Sequence, residues 1–197
     1  KRIAYDNGIK PCEHDLEGMQ GNAEFIPILQ SRLDGDVGIL EVGTFGVPGT
    51  VGRIVKNTDM ASGLITNITP DHLDRYDYKF QNYVDSKMRI IQNMTENDTF
   101  IYWNEDPVVT KELPKYDIKA KMMPFSIQTI ENMAAYLENE KLVINLKNNY
   151  IDMDINKLAL KGQHNIYNSM AAGIAAGVEG IKKDTIRKAF SDFSGVE

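Results

Sequence analysis

The chain has 197 residues, of which 42% are hydrophobic and 25% charged, and its formal net charge is −6. These values fit one globular domain with its own core. Without a basic stripe, binding to nucleic acid through phosphate neutralisation is excluded. The single cysteine, Cys12, excludes an internal disulfide, and no apolar run approaches the roughly 20 residues that cross a bilayer. We therefore expect a soluble, cytoplasmic protein without membrane insertion.

Both ends of the chain have patterns typical of a truncated sequence. The first residues, KRIAYDNG, are typical of the last turns of a helix that stops at Gly8, and the final SDFSGVE has no closing element. We expect a fragment of a longer protein, with residues 1–193 in one domain and 194–197 opening a linker to a further carboxy-terminal domain.

Two short apolar runs predict buried parallel strands, at residues 36–43 and 62–68. The second run is followed by a helix-start pattern: Thr69 as N-cap, Pro70 at the first helical position and Asp71 in the first turn. The sequence therefore predicts a helix that begins directly after the second strand.

The middle of the chain alternates between helix and strand patterns. From Phe80 the apolar residues recur at helical spacing, and residues 99–103 predict a strand that Asn104–Pro107 closes. This alternation predicts a doubly wound α/β fold with a mostly parallel sheet.

The last third predicts three further features. Residues 134–160 carry two polar turn signals between alternating apolar runs, which favours a small antiparallel meander. The Ala- and Gly-rich segment after it predicts a closely packed helix that ends at Gly177 or Gly180, and KKDTIRKAFSDF predicts a final amphipathic helix.

Two residues of possible chemical interest lie where parallel strands end, which is where open sheets bind ligands. Glu41 is near the end of the first predicted strand and could bind Mg²⁺, which prefers oxygen donors. His72 lies just past the second strand. Taken singly, Glu41 is better explained by a cap or an ion pair than by a metal site. His72 is better explained as a surface or capping residue, and Lys87 as a solvated lysine.

Other motifs predict no site. The glycine-rich segment Gly43–Thr50 lacks the lysine of a phosphate-binding loop and is interpreted as a tight turn. Cys12 and His14 are too few for a zinc site. The aspartates at 71, 74 and 77 could form a solvated helix face.

The run TNITPDHLDRYDYKFQNYVDSK, with GILEVG before it and LKGQHNIYNSMAAGIAAG after it, resembles the central domain of the Mur ligases. These ATP-dependent enzymes build the peptide stem of cell-wall precursors. The three motifs occur in the family order, between about Gly21 and Val196. The resemblance implies the central domain of a P-loop ligase whose phosphate loop would precede Lys1, so the fragment alone is expected to be inactive.

The resemblance also implies a catalytic metal site with two Mg²⁺ ions. Glu41 matches the glutamate that helps hold the Mg²⁺ between the ATP phosphates, and His72 matches the ligand of the second Mg²⁺. Lys87 matches a lysine carried as an N-carboxylated (carbamate) side chain. An ammonium would repel a metal ion, whereas a carbamate offers it an oxygen ligand.

Further matching positions imply contacts with nucleotide and substrate. His164, Asn165 and Asn168 match the motif that opens a helix beside the adenine of ATP. Asn22 matches a glycine-asparagine loop that faces the substrate and the phosphates, and Thr44 is expected to contact the substrate.

The implied reaction joins an amino acid to a UDP-linked muramoyl peptide precursor through an acyl phosphate. Residues 66–112 are most similar to the D-glutamate-adding members of the family. Residues 43–48 are closer to the pseudomurein-type ligases of methanogenic archaea, which implies a different amino acid and precursor. A catalytically silent Mur-like binding module is the third interpretation, and an intact phosphate loop upstream in the full gene would favour the enzyme over it.

Overall fold

The computed structural model describes residues 11–15, 37–41 and 61–193. Its strands form two sheets. A two-stranded parallel sheet pairs β1 (Pro11–Asp15) with β2 (Val37–Glu41). A six-stranded sheet contains, in spatial order, β3 (Ser62–Ile65), β4 (Thr99–Trp103), β5 (Lys121–Ser126), β6 (Ala135–Glu138), β7 (Lys141–Leu146) and β8 (Asn149–Asp154). Strands β3 to β6 run parallel, and β6 to β8 are antiparallel.

Four α-helices are described: α1 (Phe80–Met88), α2 (Pro107–Glu112), α3 (Gln163–Val178) and α4 (Lys183–Asp192). Short 3₁₀ helices lie at Leu73–Arg75, Arg89–Ile91, Leu113–Lys115 and Ile155–Lys157. Among the residues described, none of the helices has the length and apolar character needed to cross a membrane.

Strand β4 separates two hydrophobic cores, because successive side chains of a strand point to opposite faces. Phe100 and Tyr102 belong to the core that α1 and α2 cover. Ile101 belongs to the core that α3 and α4 cover, and Trp103 packs against that core. Helices on both faces of a mostly parallel sheet confirm the predicted doubly wound α/β fold.

Helix α3 packs closely on the sheet because of its small residues. A Cβ atom on Gly173 would overlap Cδ1 of Ile144 in β7. On the same helix Met170, three residues before Gly173, and Ile174, directly after it, are completely buried. The Ala- and Gly-rich composition therefore serves a close approach between helix and sheet.

Gly180 ends α3, and the alternative end at Gly177 is wrong because Gly177 lies within the helix. Gly180 has φ 76°, a left-handed conformation that glycine adopts without steric cost. The Ile181 N–H then donates to the Ala176 carbonyl at 3.0 Å, which is the bond of a Schellman motif.

The predicted meander is confirmed as β6, β7 and β8, and it continues the main sheet through the parallel pair of β5 and β6. Its outer strand, β8, is held by α4. Arg187 donates to the Asp152 carbonyl oxygen at 2.9 Å and to its carboxylate at 2.7 Å. Lys141 of β7 approaches the same carboxylate at 3.1 Å.

The helix predicted to begin at Thr69 is wrong. Residues 66–72 are not helical, a short 3₁₀ turn follows, and α1 begins only at Phe80. The backbone takes left-handed conformations at His72, Asp77 and Tyr78, with φ between 48° and 56°. This path buries Tyr76, which is 3% exposed, and burial of that ring outweighs the local helix-start pattern.

Strand β5 is absent from the sequence prediction, because Pro124 interrupts its apolar run and proline lacks the N–H that a sheet ladder needs. In the structure the strand lies between β4 and β6. The helix predicted before Gly8, the turn at residues 43–50 and the linker at 194–197 lie outside the described residues.

Candidate functional site

His72 lies on the surface loop between β3 and α1, and its side chain is 42% exposed. The Asp71 carboxylate accepts the His72 backbone N–H at 2.8 Å. Its second oxygen lies 3.4 Å from Nε2 of the ring. Asp71 thereby orients both the backbone and the imidazole of His72, and the ring stays open to solvent.

Tyr76 fastens this loop to helix α1. Its hydroxyl lies 3.4 Å from Oγ of Ser86, and its ring meets the Tyr83 ring edge-on at 5.4 Å between centroids. The Asn82 side-chain amide donates to the Tyr76 carbonyl at 3.4 Å. The loop that carries His72 is therefore docked on the turn of α1 that carries Lys87.

Lys87 lies near the end of α1, where its Nζ is 5.1 Å from the centroid of the Tyr83 ring. The side chain is half-buried. Since Tyr83 also packs on Tyr76, His72 and Lys87 belong to one packed unit made of the loop and α1. The structure thus places these two predicted residues on adjoining elements, and their roles as metal ligands stay predictions.

Asp106, which the sequence prediction misses, is a buried carboxylate that contacts the start of the His72 loop. It is 2% exposed. One oxygen accepts the backbone N–H groups of Val108 and Val109 at 3.0 and 2.7 Å, which caps α2. The other accepts the Ile68 N–H at 3.1 Å, across 38 positions of sequence. The local signal for the cap was present, since Asp106 precedes Pro107 at the first helical position.

Glu105 joins the ends of β4 and β5. Its carboxylate accepts from the Trp103 indole N–H and the Ser126 hydroxyl, and from the Gln128 backbone N–H at 3.2 Å. The Trp103 ring lies 4.5 Å from that of Tyr167 in α3. No local pattern in the sequence indicates this network, because its members come from three separate segments.

The start of α3 carries the three predicted nucleotide-binding residues. His164 and Asn168 are exposed and one helical turn apart, so they share a face. Asn165 is half-buried, and its side-chain amide donates to the Lys161 carbonyl at 2.7 Å. Burial, followed in importance by the nearby Glu105, raises the pKa of the neighbouring Tyr167, so this phenol stays neutral.

These segments meet at the end of the sheet where the parallel strands have their carboxyl ends. The His72 loop follows β3, and the Glu105–Asp106 pair follows β4. The contact between the tilted rings of Trp103 and Tyr167 brings the start of α3 to the same end of the sheet. The carboxyl ends of parallel strands are where open α/β sheets bind ligands. The carboxyl end of the sheet is therefore the candidate site.

The remaining predicted residues are placed only in part. Glu41 is the last residue of β2, opposite Asp15 of β1. Asn22 and Thr44 lie outside the described residues. Within the described ranges, no group of three or more His, Cys, Asp or Glu side chains could hold a metal ion.

A groove of about 630 Å³ lies between the His72 loop and α1, but neither His72 nor Lys87 lines it. Its walls mix both charges, from Arg75, Asp85 and Arg89, and include Tyr116. Burial, with Asp85 and Glu112 adding to it, raises the pKa of Tyr116. The groove is separate from the candidate site.

Comparison with known proteins assigns the family. The family model described as Mur ligase middle domain matches residues 28–176. A UDP-N-acetylmuramoylalanine--D-glutamate ligase from Bacteroides fragilis is 52% identical over 134 residues, which cover 68% of this chain and 30% of the relative. The chain thus spans about a third of the length of that relative.

Solved structures share the fold. A pseudomurein peptide ligase type C from Methanothermus fervidus superposes with a TM-score of 0.73 at 27% identity, covering 99% of this chain and 46% of that structure. The MurF ligase from Thermotoga maritima in complex with ADP gives a TM-score of 0.66 at 16% identity, covering 100% and 45%. Family model, relatives and fold agree with the predicted resemblance, and the chain belongs to the Mur ligase middle domain family.

Proposed function

We propose that the protein containing this chain is an ATP-dependent ligase that forms an amide bond between D-glutamate and a UDP-linked muramoyl peptide precursor. The observation that carries this proposal is the 52% identity to the D-glutamate ligase of Bacteroides fragilis. The same proposal puts the protein in the cytoplasm, where ATP is available.

The proposed metal ligands are Glu41, His72 and Lys87, which would hold two Mg²⁺ ions. In the described ranges His72 supplies one nitrogen donor and no group of three His, Cys, Asp or Glu side chains could hold a metal ion. Binding of Mg²⁺ beside His72 would therefore need an oxygen donor from Lys87, which its carbamate would supply. Bound Mg²⁺ would neutralise the charge that develops on the phosphates.

The environment of Lys87 supports its conversion to a carbamate. No carboxylate in the described part of the chain forms an ion pair with its amine, and such a pair would hold it as an ammonium. The neutral amine would attack CO₂, forming a nitrogen–carbon bond and losing a proton. The product is an anionic oxygen ligand in place of an ammonium.

His164, Asn165 and Asn168 are the proposed nucleotide-binding residues. His164 and Asn168 present one exposed face at the start of α3, as a contact with adenine requires. The Thermotoga maritima MurF ligase, which shares the fold, is a complex with ADP. Asn22 and Thr44 are the proposed substrate contacts.

The proposed reaction has two steps. The γ-phosphoryl group of ATP passes to the substrate carboxylate, and the amine of the amino acid then attacks the acyl phosphate through a tetrahedral intermediate and releases phosphate. None of the proposed residues forms a covalent bond to the substrate. Catalysis would therefore rest on positioning and on electrostatic stabilisation.

One observation favours a second candidate, a pseudomurein peptide ligase that adds a different amino acid. The pseudomurein peptide ligase from Methanothermus fervidus covers 99% of this chain with a TM-score of 0.73. The two candidates differ in the amino acid and the precursor, so a single assay separates them.

That assay measures phosphate release by the full-length protein with ATP and Mg²⁺, comparing UDP-N-acetylmuramoyl-L-alanine with a pseudomurein precursor and D-glutamate with other amino acids. We expect release that depends on D-glutamate. Preference for another amino acid or precursor would favour the pseudomurein-type ligase. No release with any combination would leave a catalytically silent binding module.

The carbamate is tested in the same assay by Lys87→Ala. We expect a loss of about a hundredfold or more in rate, with partial rescue by added short-chain carboxylic acids. Lys111→Ala removes an exposed lysine of α2 and is the matched control, expected to keep the wild-type rate. Full activity of Lys87→Ala would contradict the role of Lys87.

A further inference from the structure

Asp106 divides its two carboxylate oxygens between two different tasks. Oδ1 caps α2 through the N–H groups of Val108 and Val109. Oδ2 accepts the Ile68 N–H at 3.1 Å. Ile68, like Asp106, is 2% exposed, so this bond lies in the interior.

A helix cap needs only one acceptor oxygen. Asp154 shows this simpler use, since one of its oxygens accepts the Asn156 N–H at 2.8 Å at the end of β8. The second bond of Asp106 instead reaches the segment that leaves β3 and leads, four residues on, to His72. The ion pairs of the described residues include none to Asp106, and backbone N–H groups are the hydrogen-bond partners of its buried oxygens.

We propose that Asp106 is a positioning residue that fixes residues 66–72 and thereby sets the place of His72 at the candidate metal site. The inference rests on the proposed function for its catalytic consequence. The bond holds the base of the loop, Tyr76 holds its far end on α1, and His72 lies between these two anchors. Loosening the base would move the imidazole relative to Lys87 while leaving both side chains intact.

Two substitutions separate the tasks of Asp106. Asp106→Asn retains one acceptor oxygen for the α2 cap, but its amide nitrogen cannot accept the Ile68 N–H. Asp106→Ser also retains a capping oxygen and removes the second acceptor without placing a donor against that N–H. Asp154→Asn is the matched control, a partly buried capping aspartate away from the candidate site.

The first measurement is hydrogen–deuterium exchange of the full-length proteins without ligand. Both Asp106 variants should exchange about tenfold faster over residues 66–72, as loss of one buried hydrogen bond implies. Exchange over α3 should stay at the wild-type rate, and the Asp154 variant should match wild type at residues 66–72.

The second measurement is phosphate release as a function of Mg²⁺ concentration. The Mg²⁺ concentration for half-maximal rate should rise about tenfold in both Asp106 variants, as for residues that orient metal ligands, and should not rise in Asp154→Asn. A role limited to folding would instead lower the maximal rate with the folded fraction and leave the Mg²⁺ requirement unchanged.

Wild-type exchange over residues 66–72 in the Asp106 variants would overturn the inference, as would an unchanged Mg²⁺ requirement in an active protein. A wild-type protein that releases no phosphate would instead refute the proposed function. The exchange experiment would still decide whether Asp106 fixes the loop.

Discussion

The two faces of the six-stranded sheet are held together in different ways. On the face of α3 and α4, the interior is apolar, and Met170, Ile174 and Ile186 are completely buried. On the face of α1 and α2, the carboxylates of Asp106 and Glu112 are buried together with the apolar side chains.

This difference separates what stabilises the domain from what shapes its site. The α3 and α4 face gains its stability from hydrophobic area and close packing. On the other face, the buried hydrogen bond from the Ile68 N–H to Asp106 and several left-handed backbone conformations fix the loop that carries His72. The following predictions test the contrast, from the largest expected effect to the smallest.

Met170→Ala should lower the free energy of unfolding by about 2–5 kcal/mol, because it deletes a completely buried side chain and leaves a cavity. Urea unfolding measures the change. Val178→Ala, at an exposed position of the same helix, is the control and should cost far less. Equal losses at the two positions would contradict the assignment of the α3 face as the stabilising core.

Gly173→Ala should destabilise the protein by up to about 2 kcal/mol, since overpacking costs about 1–3 kcal/mol and better helix propensity returns about 1. The added methyl would meet Cδ1 of Ile144. Combining it with Ile144→Val, which removes that atom, should give a loss smaller than the sum of the single losses in urea unfolding. Additive losses would show that the contact is not the cause.

Substitutions at Asp77 test the left-handed backbone of the loop before α1. Asp77 is exposed and has φ 54°. Asp77→Val should lower the free energy of unfolding by about 1 kcal/mol, because a β-branched residue disfavours the left-handed region. Asp77→Gly should cost nothing or stabilise slightly, since glycine adopts this conformation freely. Thermal unfolding of the pair gives the comparison, and equal stability of the two variants would argue against this backbone conformation.

The smallest effect is expected at Asp152. Its hydrogen bonds with Lys141, and then with Arg187, lower the pKa of this carboxyl below its ordinary value of 3.8. A carboxyl whose pKa is lowered in the folded state stabilises the fold at pH values above its ordinary pKa. This contribution is lost as the pH falls through the lower pKa of the folded state.

Asp152→Asn should therefore cost less than about 1 kcal/mol at neutral pH, as expected for a partly exposed ion pair. The difference from wild type should shrink as the pH falls below 3.8. Urea unfolding of both proteins across that range measures it. A difference that stays constant with pH would exclude the ion pairs as its source.

The regular elements could be predicted because their signals are local. The apolar spacing from Phe80 gave α1, the run at residues 99–103 gave β4, and the polar turns gave the meander. Where a distant contact decides, the local signal failed. No helix begins at Thr69, because the burial of Tyr76 and the hydrogen bond from Ile68 to Asp106 outweigh the local helix-start pattern.

At the candidate site the roles of the proposed metal ligands stay predictions, and the bonds that hold its segments in place could not be predicted from the sequence. Local residues left Glu41, His72 and Lys87 with ordinary explanations, and only the combination of three ordered motifs indicated a common site. The groups that hold this end of the sheet, Glu105 and Asp106, carry no periodicity. Their partners lie 21 and 38 positions away in sequence, and only the folded chain brings them together.

The bonds between Arg187 and Asp152 have a consequence for encounters between molecules. Strand β8 ends the six-stranded order, and the open edge of a sheet is a template on which another chain can add a strand. Arg187 occupies a carbonyl of that strand and places a guanidinium beside it. A neighbouring strand would have to displace this charge before it could pair, which protects the protein against aggregation through β8.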